Sequence, residues 1–206
     1  MALRRSRVTA IRSFVAIELS DQAMLQLTHL QSRLNDILPP NTVRWTVPQN
    51  IHLTLHFLGH LLMDHLDEVA LIVRDVAATA TPFSLDLSNL GCFPHIRRPR
   101  IVWVGLSGEM EVLVNLHREL GERLRQAIRF QPESRPYSPH LTIGRIKKGI
   151  PQHRLRELGK LLEQEIPRVG QVAPLPVERI HFIRSDLKPD GPVYTPLAQA
   201  QLGPQT

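Results

Sequence analysis

Strict alternation along Ile51-His52-Leu53-Thr54-Leu55-His56-Phe57 constrains this chain more than any other stretch. Ile51, Leu53, Leu55 and Phe57 are apolar, and His52, Thr54 and His56 stand between them. Successive side chains of a β-strand point to opposite faces, so this period describes a half-buried strand. Its aliphatic residues enter a core, while His52, Thr54 and His56 share the other face. The pattern returns as His140-Leu141-Thr142-Ile143. Two strands, each offering a His and a Thr two residues apart on one face, point to a paired active site.

The surrounding chain reads as grouped strands with intervening helices. Residues 13–19 predict a strand, and Ser20 caps a helix in which Met24, Leu27, Leu34 and Leu38 recur at helical spacing until Pro39-Pro40. A short strand over 43–46 and a turn at Pro48-Gln49-Asn50 lead into the first motif strand, which Gly59 is expected to end. Asp64 is expected to cap a second helix carrying Leu66, Val69, Ala70, Val73 and Ala77. Strands over 83–90 and 101–106 flank a basic loop with Arg97, Arg98 and Arg100. Leu113, Leu116, Leu120, Leu124 and Ile128 then form one helical stripe.

An extended loop over 132–139 leads to the second motif strand, 140–146. A fourth helix carries Leu155, Leu158 and Leu162. Strand patterns over 178–185 and 193–201 close into a hairpin at Lys188-Pro189-Asp190-Gly191, where proline presets φ and glycine accepts a positive φ. Strands that come in groups, without regular βα alternation, predict an α+β fold with antiparallel pairing. The repeated His-x-Thr strand suggests two lobes facing each other across a groove.

Composition narrows the class. The chain has 206 residues, 42% hydrophobic and 21% charged, which suits one soluble globular domain. No apolar run approaches the ~20 residues that cross a bilayer, so no membrane partner is expected. Cys92 is the single cysteine, which excludes an internal disulfide and argues against a cysteine-rich metal site; a cytoplasmic protein is expected. The net charge of +6 favours polyanionic partners such as RNA. Arg4, Arg5, Arg7 and Arg12 make residues 1–12 a basic stretch without acids, read as a disordered extension before a single bilobal domain over 13–206.

The motif residues suit acid–base chemistry at phosphorus. Histidine gives or takes a proton near neutral pH, so two of them can form a couple, one deprotonating water and the other protonating a leaving oxygen. A threonine hydroxyl on the same face can donate to an anionic oxygen. One H-x-T alone is weak evidence, since alternating strands turn polar residues outward everywhere; two matched copies are much stronger. The sharpest rival is a metal site built on His52, His56, His60 and His65. Four-residue spacing aligns ligands on a helix, but on a strand it separates them by ~13 Å. No metal and no cofactor are therefore expected.

The stretch Val43-Arg44-Trp45-Thr46 through Pro48-Gln49-Asn50-Ile51-His52-Leu53-Thr54-Leu55-His56-Phe57-Leu58-Gly59 closely resembles the first signature of the two-histidine phosphoesterases. Arg135-Pro136-Tyr137-Ser138-Pro139-His140-Leu141-Thr142-Ile143-Gly144-Arg145 resembles the second. Within that superfamily the chain is most similar to the RNA 2′,3′-cyclic phosphodiesterases, also called 2′-5′ RNA ligase-like proteins. Further likeness lies in Ser13-Phe14-Val15-Ala16, Gly91-Cys92-Phe93-Pro94 and Asp190-Gly191-Pro192-Val193-Tyr194.

The resemblance implies two mainly antiparallel sheets with flanking helices around a central cleft. It also implies metal-independent opening of RNA 2′,3′-cyclic phosphate ends, or of cyclic nucleotides, to 2′-phosphomonoesters, with 2′-5′ ligation as a related activity. Carried onto this chain, His52 is the proton donor and His140 the proton acceptor, while Thr54 and Thr142 hold phosphate oxygens. Arg145 matches a phosphate-contacting position, although simple alternation turns it away from His140 unless a bulge near Gly144 re-aims it. Tyr137 is a candidate for stacking on a terminal base, and Arg97, Arg98 and Arg100 for tracking the backbone. His56 shares the face of His52 without a catalytic role, and Trp45 and Trp103 read as core. A monomer is expected. The competing class is a non-catalytic RNA-end-binding module on the same fold.

Overall fold

β1 (Ala10–Glu18) leads to Ser20, whose hydroxyl accepts from the Ala23 N–H at 3.2 Å and starts α1 (Asp21–Ile37). This satisfies an orphan amide of the first turn, and Asp21 complements the helix dipole there. After β2 (Val43–Trp45) come β3 (His52–Leu62), α2 (Leu66–Thr79), β4 (Phe83–Phe93), β5 (Ile101–Gly108) and α3 (Met110–Ile128). The chain continues through β6 (Leu141–Ile146), α4 (Gln152–Glu165), β7 (Gln171–Val177), β8 (Arg179–Lys188) and β9 (Gly191–Gln201). This computed structural model describes residues 10–128, 130–131 and 135–204.

The strands form two sheets, ordered β3-β1-β8-β9 and β2-β6-β5-β4-β7, with antiparallel pairing throughout. The fold is α+β, as the grouped strands predict. The inner faces and the helices share one core. Leu27 and Leu34 of α1, Val69 and Val73 of α2 and the α3 stripe Leu113, Leu116, Leu120 and Leu124 meet Leu53, Leu85, Leu141 and Ile143 of the strands there. Phe14, Ala16 and Ile183 form a separate apolar cluster, with Tyr194 packed on it. That second face of the first sheet, turned away from the main core, carries half of the candidate site.

The structure differs from expectation at several places. β3 continues through Gly59 to Leu62, because β1 pairs with it as far as Ala10↔Leu62. Asp64 consequently lies in a 3-10 turn, Met63–His65, and caps nothing; α2 begins at Leu66. β7 is absent from the sequence reading because Pro174 and Pro176 interrupt its pattern. It lies at a sheet edge, where a missing amide donor is tolerated, and both prolines are exposed. β1 also takes in residues 10–12 of the expected extension, and residues 1–9 lie outside the described residues. So do residues 132–134 of the approach loop.

Candidate active site

His52 and His140 are held the same way. His52 Nδ1 lies 3.0 Å from the Asn50 carbonyl oxygen, and His140 Nδ1 lies 2.7 Å from that of Ser138. A carbonyl only accepts, so the proton of each neutral ring sits on Nδ1, and Nε2 is left with a free lone pair. Each backbone partner is two residues upstream, so the two rings are held by the same local contact. Their surroundings differ. Phe14 stacks on His52 at 4.5 Å and Tyr194 meets it edge-on at 5.2 Å. Burial under these rings pushes the His52 pKa down to about 4, against the smaller upward pull of the Asn50 hydrogen bond. His140 is flanked by Phe93 at 5.0 Å and Trp103 at 6.3 Å. Trp103 pairs with Thr142 and is only partly buried, so it belongs to this wall and not, as its strand pattern suggested, to the core.

Both motif strands then break register at the same place. On β3, Ala16 pairs with Thr54 but Val15 pairs with His56, so Leu55 is an extra residue. On β6, Trp103 pairs with Thr142 but Val102 pairs with Gly144, so Ile143 is the extra one. A bulge of one residue inverts the face of everything beyond it. Leu55 and His56 are accordingly both buried, as are Ile143 and Gly144. Beyond the second bulge, Arg145 returns to the face of His140 and Thr142 and is exposed.

The first bulge corrects the placement of His56. Its ring turns inward, 5% exposed, and Nε2 lies 2.8 Å from the His117 carbonyl oxygen. Gly121 makes room for it: a Cβ there would stand 2.9 Å from two His56 ring atoms. His56 and His52 thus serve opposite faces of one strand. Among the described residues, no group of three or more His, Cys, Asp and Glu side chains is arranged to hold a metal ion.

The second bulge has its own support. The Ile143 carbonyl accepts from the Thr46 N–H at 2.9 Å and from Gln31 Nε2 at 2.8 Å. Gln31 also donates to the Thr46 carbonyl at 2.8 Å, from an α1 position only 6% exposed. Gly144 is needed here because β2 lies across it; a Cβ would meet Val43 at 2.8 Å and the Trp45 ring at 2.9 Å.

Further contacts join the two lobes. The Tyr137 hydroxyl, on the approach to His140, donates to the Thr54 carbonyl at 3.1 Å. Its ring stacks on His117 at 3.8 Å, and His117 stacks in turn on His56 at 4.1 Å. Burial raises the Tyr137 phenol, and burial with the adjacent His56 lowers His117 to about 4. One face of Tyr137 is thus occupied by protein, and the residue braces the strand of Thr54. The Tyr194 phenol is raised by burial and drawn back down by Arg145 and Arg12, so both guanidinium groups act beside the ring that covers His52.

Sequence reasoning gave Phe14, Tyr194, Arg12 and Arg44 no role at the site. Arg44 stands directly opposite Arg145 on β2. Like charges so placed repel, yet among the described residues no carboxylate pairs with either. Neither the Thr54 nor the Thr142 hydroxyl hydrogen-bonds to another described residue. Arg97, Arg98 and Arg100 are exposed in their loop. Free hydroxyl donors and unpaired cations on the strands that carry two imidazoles are groups that can receive an anion.

A family model described as the 2′-5′ RNA ligase superfamily matches residues 47–189, a span containing both His-x-Thr strands. The chain belongs to this superfamily. Among curated members, the RNA 2′,3′-cyclic phosphodiesterase of Methanothermobacter thermautotrophicus is 32% identical over 186 residues, 90% of this chain and 95% of that one. The RNA 2′,3′-cyclic phosphodiesterase of Aquifex aeolicus is also 32% identical, over 78% of this chain and 82% of its own. Solved structures share the fold: the crystal structure of TT0787 of Thermus thermophilus matches with a TM-score of 0.75 at 26% identity, over 95% of this chain and all of that one. Apo LigT of E. coli matches with a TM-score of 0.72 at 22% identity, over 95% and 99% of the two chains.

Proposed function

We propose that the protein is an RNA 2′,3′-cyclic phosphodiesterase that opens cyclic phosphate ends to 2′-phosphomonoesters with its own side chains. The observation that carries this reading is the doubled device of a backbone-tethered histidine, a free threonine hydroxyl and a bulge on each of β3 and β6. The names of the similar proteins from Methanothermobacter and Aquifex support the same reaction class.

In this mechanism His140 Nε2 takes a proton from water, whose oxygen forms a bond to phosphorus. The bond from phosphorus to the 3′ oxygen breaks, and that oxygen takes its proton from His52 Nε2. Thr54 and Thr142 donate to the non-bridging oxygens, and Arg145, with Arg44 opposite, balances the charge that builds on them. In the unliganded protein His52 is neutral at pH 7, since burial holds it at about 4. An anionic phosphate beside it raises that value and supplies the proton-bearing form that an acid requires. A 5′-hydroxyl attacking in place of water gives a 2′-5′ linkage through the same steps.

The test is an RNA oligonucleotide ending in a 2′,3′-cyclic phosphate, incubated with the protein in excess EDTA. A 2′-phosphate product fits the reading. Product only after addition of a divalent ion indicates a metal hydrolase, and bound but unreacted RNA in both conditions indicates a binding module.

A further inference from the structure

The bulge symmetry has a counterpart to Arg145 on the other lobe. Arg145 is five residues after His140, and Phe57 is five after His52; each is returned to the site face by its bulge. Phe57 pairs across the sheet with Phe14, the ring stacked on His52, and their centroids lie 6.1 Å apart. Yet Phe57 is 50% exposed, an unusual position for a phenylalanine next to a polar centre. Arg12 lies two residues before Phe14 on β1 and pairs with His60 on β3, and both are exposed. Arg12, Ser13, Phe57, Gly59 and His60 line an open groove of about 370 Å³. Arg12 and Arg145 both act electrostatically on Tyr194, whose ring meets His52 edge-on.

We infer that this groove binds the RNA chain on the 5′ side of the cyclic end, with Phe57 stacking an upstream base and Arg12, beside His60, holding a linking phosphodiester. The inference rests on the proposed cyclic phosphodiester chemistry. An exposed aromatic face accepts any base, and a guanidinium next to it meets the backbone, the pairing by which single strands are held without sequence readout. No carboxylate pairs with Arg12 among the described residues, so the cation is available to a phosphate. The consequence is a preference for oligonucleotides over mononucleotides that the two histidines and two threonines alone do not create.

The test compares kcat/KM for a trinucleotide with a 2′,3′-cyclic end and for the matching cyclic mononucleotide. Binding of a labelled hexanucleotide bearing a terminal 2′-phosphate is measured alongside. Phe57→Ala and Phe57→Leu are expected to lower the trinucleotide-to-mononucleotide ratio on the order of tenfold and to weaken hexanucleotide binding comparably, while Phe57→Trp retains both. Arg12→Gln should flatten the salt dependence of hexanucleotide binding by a slope of about 0.7, one phosphate contact on a single strand. A ratio and a hexanucleotide affinity that stay the same in Phe57→Ala overturn the inference. So does an equal fall for both substrates, which would place Phe57 at the terminal nucleoside. A wild-type protein that binds the hexanucleotide through Phe57 but turns over neither substrate contradicts the catalytic reading while leaving the groove intact.

Discussion

Replacing Gln31 with leucine tests whether a buried amide in α1 sets the site on β6. Gln31 Nε2 donates to the carbonyls of Thr46 and Ile143, each at 2.8 Å, and the side chain is 6% exposed. Leucine has similar volume and no donor. The Ile143 carbonyl keeps the Thr46 N–H, whereas the Thr46 carbonyl loses its Gln31 donor. Gln31→Leu removes one buried and one part-buried hydrogen bond at ~0.5–1.5 kcal/mol each, so it should destabilise the protein by about 2 kcal/mol. For a chain of this length that lowers Tm by roughly 4–8 °C, and it lowers the urea midpoint without changing the slope. Because Ile143 is the bulged residue that returns Arg145 to the face of Thr142, kcat/KM for a cyclic phosphate should also fall, on the order of tenfold. An unchanged urea midpoint would refute the assigned energetics. A lowered midpoint with unaltered kinetics would refute the link between the bulge and the chemistry.

The remaining expectations concern the buried histidines. In an NMR titration, His52 of the unliganded protein should have its midpoint near 4 and move upward when inorganic phosphate is bound; a free-state midpoint near 6.5 would contradict the burial argument. His52 and His117 both have folded values below their unfolded ones, so the unfolded chain binds more protons between about 4 and 6.5. Stability should therefore be fully present above pH 6.5 and decline as pH falls towards 4, and urea midpoints that stay level across that window would disagree. Gly121→Ala places a methyl group 2.9 Å from the His56 ring. It should cost ~1–3 kcal/mol and lower kcat by shifting the His56, His117 and Tyr137 stack that braces Thr54, whereas wild-type stability and kinetics would argue against that brace.

Much of this architecture is legible in the sequence because it is local. The period-two strands around His52 and His140, the leucine stripe of α3 and the Pro-Asp-Gly hairpin between β8 and β9 each write their own pattern into consecutive residues. The bulges do not, since they are decided by partners far along the chain. At Ile143 those partners are Gln31, Thr46 and the β2 side chains over Gly144. Gly144 hinted at the second bulge. No comparable sign marked Leu55, so alternation put His56 on the wrong face. Tyr194, Arg12 and Arg44 drew no role from the sequence because only neighbours far along the chain, His52 for Tyr194, Tyr194 for Arg12 and Arg145 for Arg44, bring them to the site.

The most direct measurement of the central claim, that His52 and His140 act as one acid–base couple, is a double-mutant cycle on cyclic phosphate hydrolysis. The account predicts that His52→Ala and His140→Ala each lower kcat by ~10²–10⁴. It also predicts that the double variant is about as slow as either alone, as expected of groups that work as a unit. Single variants within tenfold of wild type, or losses that simply multiply in the double variant, would contradict it.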